Sequence, residues 1–147
     1  MERLIDLIDE QLNKREKVSL VGTSAGGSAV INAFAERRDK VHRVINVCGR
    51  LREGTQTGFR SFKERTKSSP PFAQSIEFCE THLESLTEND KRKIMTVRSM
   101  FGDELVPSDT VIIEGANNIQ VPAPEHVFTI TTALTLFSKR LIDFLKQ

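Results

Sequence analysis

The sequence predicts an α/β fold: a three-layer arrangement with a parallel sheet of about four strands flanked by helices. Three observations predict it. Short apolar runs of strand length alternate with segments of helical periodicity. The connections between them are brief and are punctuated by Gly or Pro. A glycine-framed serine, Gly22-Thr23-Ser24-Ala25-Gly26, stands where the first run meets the next helical segment.

Leu4, Ile5, Ile8 and Leu12 recur at helical spacing, so the first segment reads as an amphipathic helix, followed by a polar break from Lys14 to Lys17. Val18-Ser19-Leu20-Val21 is a short strand closed by Gly22. Ala25 to about Arg38 is helix-tolerant, with Val30, Ala33 and Phe34 on one face, and Val44-Ile45-Asn46-Val47-Cys48 is a second strand stopped by Gly49. This α-β-α-β order with short links calls for parallel strands covered by helices. Arg50 to Pro71, with Gly54, Gly58, Pro70, Pro71 and many charges, reads as a surface excursion. Ile76, Cys79, Leu83 and Leu86 mark a helix, Ile94 to Val97 a third strand, and Asn118 to Val121 a fourth. Val111-Ile112-Ile113 is read as a turn, since a strand there would crowd the one at Ile119. Ile130, Leu134, Phe137, Leu141, Phe144 and Leu145 form the clearest helical stripe.

Composition narrows the function. The 147 residues fit one domain, and 21 Lys plus Arg against 20 Asp plus Glu leave no basic excess for a general nucleic-acid surface. The mixed-sign runs Glu36 to Lys40 and Arg60 to Lys67 read as solvated faces. Met1 to Asp6 lacks the basic flank and apolar run of a secretory signal, and no stretch is long and apolar enough to span a bilayer. Two cysteines, Cys48 and Cys79, without an export signal, make a reduced, cytoplasmic setting the expectation. Cys48, on an apolar strand, reads as core. Cys79 and His82 are one helical turn apart, but a metal needs more ligands than this pair, so no metal is expected.

The chemistry lies in the pentapeptide. A serine on a tight strand-to-helix turn takes a strained backbone and pushes its hydroxyl clear of the sheet. The glycines two before and two after it are expected to pack against each other. The Ala25 N–H, at the start of the helix, is then a candidate donor to a developing oxyanion. The bland reading is a turn in which Thr23 or Ser24 merely caps the helix. An activated serine needs an imidazole and a carboxylate behind it. His42 precedes the second strand, at the end opposite Ser24, and His82 sits mid-helix in the excursion. His126 follows the fourth strand, and loops at the carboxyl ends of parallel strands share one rim, so it is the candidate base. Asp103, after the third strand, is the candidate acid, with Glu104 as its neighbouring substitute and Asp109 a weaker rival.

The chain order Ser24, Asp103, His126 is that of the α/β-hydrolases. The stretch Gly102 to Pro107, followed by Glu114-Gly115-Ala116-Asn117-Asn118-Ile119-Gln120-Val121 and His126, resembles small bacterial lipases and esterases. The resemblance implies Ser24 as nucleophile, Asp103 as acid and His126 as base, acting through an acyl-enzyme on a small-molecule ester or thioester, without a cofactor. Glu125 stands where that family has glycine. Residues 50–92 correspond to its variable cap, inside one hydrolase-like domain of residues 1–147. The resemblance also implies strands before the nucleophile strand and a loop supplying a second oxyanion donor, for which Val18 leaves only one preceding helix. The Val18–Val21 edge would then be bare and apolar. Three outcomes stay open: self-association into a homo-oligomer along this strand, a partner that supplies neighbouring strands, or a truncated product. A catalytically weak or inactive hydrolase-like binding or assembly domain, and acyl transfer to an acceptor other than water, are the competing readings.

Overall fold

The computed structural model describes residues 2–14 and 17–147, so Arg15 and Glu16 of the polar break, and Met1, lie outside the described residues. Four strands, β1 (Val18–Thr23), β2 (Val41–Val47), β3 (Ile94–Ser99) and β4 (Asn117–Val121), form one sheet in the order β1-β2-β3-β4. Every neighbouring pair is parallel, with Val21 opposite Ile45, Val47 opposite Val97 and Val97 opposite Ile119. Parallel pairing of consecutive strands requires a crossover after each one. The crossovers here are α2 (Gly26–Glu36), a long helical excursion, and the loop that contains a 3-10 turn at Ser108–Thr110.

Side chains alternate across a strand, so the sheet feeds two cores. On one face, Leu20, Val41, Val44 and Ile94 pack with Ile5 and Ile8 of α1 (Glu2–Lys14), with Ile31 and Phe34 of α2, and with Cys79 and Leu83 of the excursion. On the other, Ile45, Val47, Met95, Val97, Ile119 and Val121 pack with Ala133, Leu141 and Phe144 near the C-terminus. Helices on both faces of a parallel sheet give the three layers the sequence predicts. β1 is an edge strand, and its Val21 is 45% exposed. No described helix is long and apolar enough to cross a membrane.

The structure differs from the sequence reading in five places. The last stripe is two helices, α6 (His126–Thr135) and α7 (Ser138–Lys146). Leu136 and Phe137 turn the chain between them, so the two helices deliver Ala133 and then Leu141 and Phe144 to the same face. His42 lies inside β2 rather than before it, because pairing with β1 starts at Val41. The excursion does not reach the surface at once: Arg50 is 2% exposed and Leu51 is fully buried before the chain emerges. It then forms α3 (Phe62–Thr66), α4 (Pro70–Glu84) and α5 (Glu88–Lys91), and Pro70 and Pro71 open α4 rather than marking a loop. Proline suits a first helical turn, where its missing N–H would have had no partner. His82 sits in the last turn of α4, bonded through Nδ1 to Asn32 Oδ1 of α2 at 3.0 Å, which makes it a helix-packing residue.

Candidate active site

β1 ends at Thr23, and α2 begins at Gly26, leaving two residues to reverse the chain. Ser24 takes φ 51°, a left-handed conformation that costs a non-glycine residue on the order of 1 kcal/mol. The surroundings hold it there. Its N–H donates to Val47 O at 3.0 Å, and its carbonyl accepts from Gly27 N–H at 3.0 Å. Neither Thr23 nor Ser24 caps α2, whose N-cap is Ala25 with no side-chain bond, so the bland capping reading does not describe this turn.

Gly22 and Gly26 pack against each other as expected, but only Gly22 is closed to a side chain by that contact. A Cβ on Gly22 would overlap Gly26 O and lie 2.6 Å from Val30 Cγ2, so that position is closed. A Cβ on Gly26 would meet nothing within 4 Å. The crowded partner is instead Gly27, where a Cβ would overlap Asn46 Oδ1 and lie 2.8 Å from Gly49 Cα. Asn46, buried at the end of β2, accepts from Gly49 N–H at 3.0 Å and donates to Gly49 O at 2.9 Å. This clamp folds the turn after β2 against the serine turn, and a Cβ on Gly49 would lie 2.6 Å from Ser24 O. Gly27, Asn46 and Gly49 were not singled out from the sequence. The available signal was the glycine directly after β2 with a polar residue three positions before it.

His126 is the first residue of α6 and is 3% exposed. Its Nε2 lies 2.9 Å from Ser24 Oγ, and its Nδ1 lies 2.7 Å from Asp103 Oδ2. The structure therefore brings together the three side chains named from the sequence, from the loops after β1, β3 and β4. Asp103 Oδ1 accepts from Leu105 N–H at 2.8 Å and from Val106 N–H at 2.9 Å. Burial raises the affinity of this carboxyl for a proton, but the His126 bond and the two backbone donors outweigh it and hold Asp103 below the usual carboxylate range. An ionised carboxylate only accepts, so Nδ1 carries the imidazole proton. Nε2 is then the free acceptor, and the Ser24 hydroxyl donates to it.

Glu104 and Asp109 do not stand where Asp103 meets the His126 ring. Glu104 Oε2 accepts the backbone N–H of His126 at 3.0 Å and so anchors the start of α6. That anchor accompanies Glu125 at φ 64°, the position where the resembling family has glycine. Asp109 lies in the 3-10 turn, near Arg50. Behind Asp103, Arg60 Nη2 donates to the Asp103 carbonyl, and Arg50 Nη1 donates to the Arg60 carbonyl at 3.0 Å. Arg50 also donates to the carbonyls of Arg52 and Glu53, which makes burial of its charge tolerable. Cys48, at φ 54° after β2, is buried beside this region, and burial together with the Asp103 charge pushes its thiol up to about 12. At neutral pH it is a protonated core thiol.

Comparison with known proteins adds the following. No protein-family model matches the chain. A curated relative from Arabidopsis thaliana, named "Putative methylesterase 14, chloroplastic", is 36% identical over 75 residues, which are 51% of this chain and 21% of that protein. The chain thus spans about a fifth of the length of that relative, by its 21% coverage. Among solved structures, one from the work on LipS and LipT, two metagenome-derived lipolytic enzymes, superposes with TM-score 0.66 at 11% identity, covering 97% of this chain and 70% of that one. Paleococcus ferrophilus monoacylglycerol lipase gives TM-score 0.61 at 15% identity, over 97% and 72%. MGS-M2, an alpha/beta hydrolase enzyme from a Medee basin deep-sea metagenome library, gives 0.56 at 14%, over 97% and 70%.

The fold is that of the α/β-hydrolases. In an α/β-hydrolase fold the strand-to-helix elbow presents a serine at the top of the sheet, and the residue after it offers an N–H to the oxyanion. Here the elbow is the β1–α2 turn, and the Ala25 N–H donates to no acceptor among the described residues. Two openings flank the α/β-hydrolase elbow. A cleft of about 70 Å³ is bordered by Ser24, His126, Leu105, Val106, Arg50 and Arg65. A larger groove of about 330 Å³, mostly apolar, runs past Ala25, Ala29, Pro71, Phe72 and Phe78. Ala25 and Phe72 border both. No cluster of three or more metal-ligating side chains occurs among the described residues, and Cys79 and His82 acquire no further ligand.

Proposed function

We propose that the chain is a serine hydrolase of small-molecule carboxylic esters or thioesters, working through an acyl-enzyme on Ser24. One observation carries this reading: the continuous chain from Ser24 Oγ to His126 Nε2 and from His126 Nδ1 to Asp103 Oδ2. Ser24 Oγ attacks the acyl carbonyl as Nε2 takes its proton, and the oxyanion that forms is met by the Ala25 N–H. The imidazolium, steadied by Asp103, hands that proton to the leaving oxygen of an ester, or the leaving sulfur of a thioester, as its bond to carbon breaks. Water then attacks the acyl-Ser24 carbonyl, with His126 taking its proton and returning one to Ser24. The apolar groove beside Ala25 suits the apolar part of an acyl chain. Residues 50–92 are proposed as the cap over this site, since Arg65 and Phe72 from that segment border the cleft. The lipase and esterase names of the structural neighbours agree with an ester substrate.

The second reading is a catalytically weak or inactive hydrolase-like domain used for binding or assembly. What favours it is that, among the described residues, the Ala25 N–H is the single donor assigned to the oxyanion. Loss of a single such donor costs about 3 kcal/mol of transition-state stabilisation. A fluorophosphonate probe separates the readings. Under the hydrolase reading the wild-type chain is labelled and Ser24→Ala is not. Equal labelling of both proteins removes Ser24 as nucleophile, and no labelling of a folded wild-type chain favours the binding domain.

A further inference from the structure

The cleft beside Ser24 and His126 carries two arginines and no acidic side chain in its lining. Their situations differ. Arg50 is buried, with Nε, Nη1 and Nη2 donating to the carbonyls of Arg52, Arg60 and Glu53, and Asp109 offsets part of its charge. Arg65 is half-buried on α3. Its guanidinium lies 5.0 Å from the centre of the Phe59 ring. It has no side-chain hydrogen bond and no ion pair among the described residues. A planar guanidinium held on an aromatic face, with its donors unspent, is organised to bind a carboxylate or phosphate.

Position then says which half of an ester it meets. His126 Nε2 must reach the leaving oxygen to protonate it, so the alcohol half lies on the His126 side of Ser24. That side is the cleft with Leu105, Val106, Arg50 and Arg65. The groove past Ala29 and Phe78, apolar and without a charged side chain in its lining, is left for the acyl half. We infer that Arg65, backed by the positive field of Arg50, recognises an anionic group on the alcohol half of the substrate, so that the preferred substrates are esters of hydroxy acids or of phosphorylated alcohols. This rests on the hydrolase reading for the reaction, but recognition of the anion itself does not require turnover.

The test compares butyryl glycolate, whose alcohol half carries a carboxylate, with ethyl butyrate, following proton release at pH 7. The readout is the ratio of kcat/KM on the two esters. In the wild-type chain this ratio is expected to be about tenfold larger than in Arg65→Gln, the size of one charge-assisted hydrogen bond. Arg65→Lys is expected to keep part of the difference, and 0.5 M salt to shrink it. Equal ratios in wild type and Arg65→Gln overturn the inference. A preference that follows the acyl half instead, succinyl over butyryl with one alcohol, overturns it too. A second arm titrates glycolate and ethanol into the Ser24→Ala chain and into Ser24→Ala with Arg65→Gln, read by NMR chemical shifts. Glycolate-selective shifts that vanish with Arg65→Gln are expected even if neither ester is hydrolysed, in which case the hydrolase reading falls alone. Absence of such shifts in a chain that also shows no ester discrimination ends the anion assignment.

Discussion

Gly26 and Gly27 are adjacent in the sequence and opposite in their demands. Gly27→Ala would drive a Cβ into Asn46 Oδ1 and to within 2.8 Å of Gly49 Cα, both of them held by the Asn46–Gly49 hydrogen bonds at 3.0 and 2.9 Å. Relief requires either separating the two turns or breaking that clamp. Overpacking and the loss of one or two buried hydrogen bonds together amount to about 2–4 kcal/mol. Gly26→Ala meets nothing and replaces a helical glycine by the best helix former, so it is expected to be neutral or to stabilise by up to about 1 kcal/mol. For a chain of this size 1 kcal/mol moves the melting temperature by about 4 °C, so the two variants should melt on opposite sides of, or well apart from, the parent. With no Trp and no Tyr, unfolding is followed by far-UV circular dichroism in urea and on heating rather than by fluorescence. Because the clamp sits under Ser24 O, Gly27→Ala should also slow fluorophosphonate labelling, while Gly26→Ala folds as the parent does. A Gly26→Ala variant less stable than Gly27→Ala would refute the packing argument for the elbow.

Asp103 sets a pH limit. Its folded carboxyl lies below the unfolded value of 3.8, so its contribution is complete above that value and is lost as pH falls through the folded value. Asp103→Asn is therefore expected to lower stability at pH 7 and to flatten the acid limb of a stability-against-pH curve below pH 3.8, measured by urea unfolding. Its fluorophosphonate labelling should fall by roughly 10³-fold or more, because the amide no longer fixes the imidazole tautomer. Arg50→Met would leave the carbonyls of Arg52, Glu53 and Arg60 without their donor, at about 3 kcal/mol in total, checked as a melting shift. The β1 edge, with Val21 45% exposed, is expected to pair. Light scattering should give a mass above that of one chain, and Val21→Lys should lower it; a monomer at tens of micromolar would remove self-association.

The parts legible in the sequence share a physical cause. The two central strands, β2 and β3, are runs rich in β-branched and apolar residues and largely buried on both faces, and such runs announce themselves without reference to anything distant. Ser24, Asp103 and His126 were legible because the glycine-framed serine marks a strand-to-helix turn and parallel strands deliver their following loops to one rim, so the positions after the strands, with the resemblance to lipases and esterases, suggested a meeting place. The division of the last stripe was not legible. The helical period continues through Leu136 and Phe137, and only the geometry of docking on the second core breaks it. Arg50 was hidden for the opposite reason: its neighbours are charged and flexible in composition, and the carbonyls that make its burial tolerable come from a loop with no periodic signature. The Gly27–Gly49 contact was invisible because it joins two turns that the sequence places 22 positions apart.

The support beneath Asp103 and His126 also bears on how far the candidate site depends on the excursion. Asp103 Oδ1 is held by its own loop, but its carbonyl is held by Arg60, and the Arg60 carbonyl is held by Arg50. His126 is similarly held at its side chain by Asp103 and at its backbone by Glu104. The segment that borders the cleft through Arg65 therefore also steadies Asp103, so a change in residues 50–65 reaches Ser24 and His126 by two routes. On the proposed reading, substrate selection and positioning of Asp103 are separable only residue by residue: Arg65 borders the cleft with unspent donors, whereas Arg50 gives Nε, Nη1 and Nη2 to carbonyls and Arg60 gives Nη2 to the Asp103 carbonyl. A substitution at Arg65 should move the ratio between substrates, and one at Arg60 should lower turnover of all of them alike. Equal loss on every ester in both variants would mean that the excursion acts only as a brace.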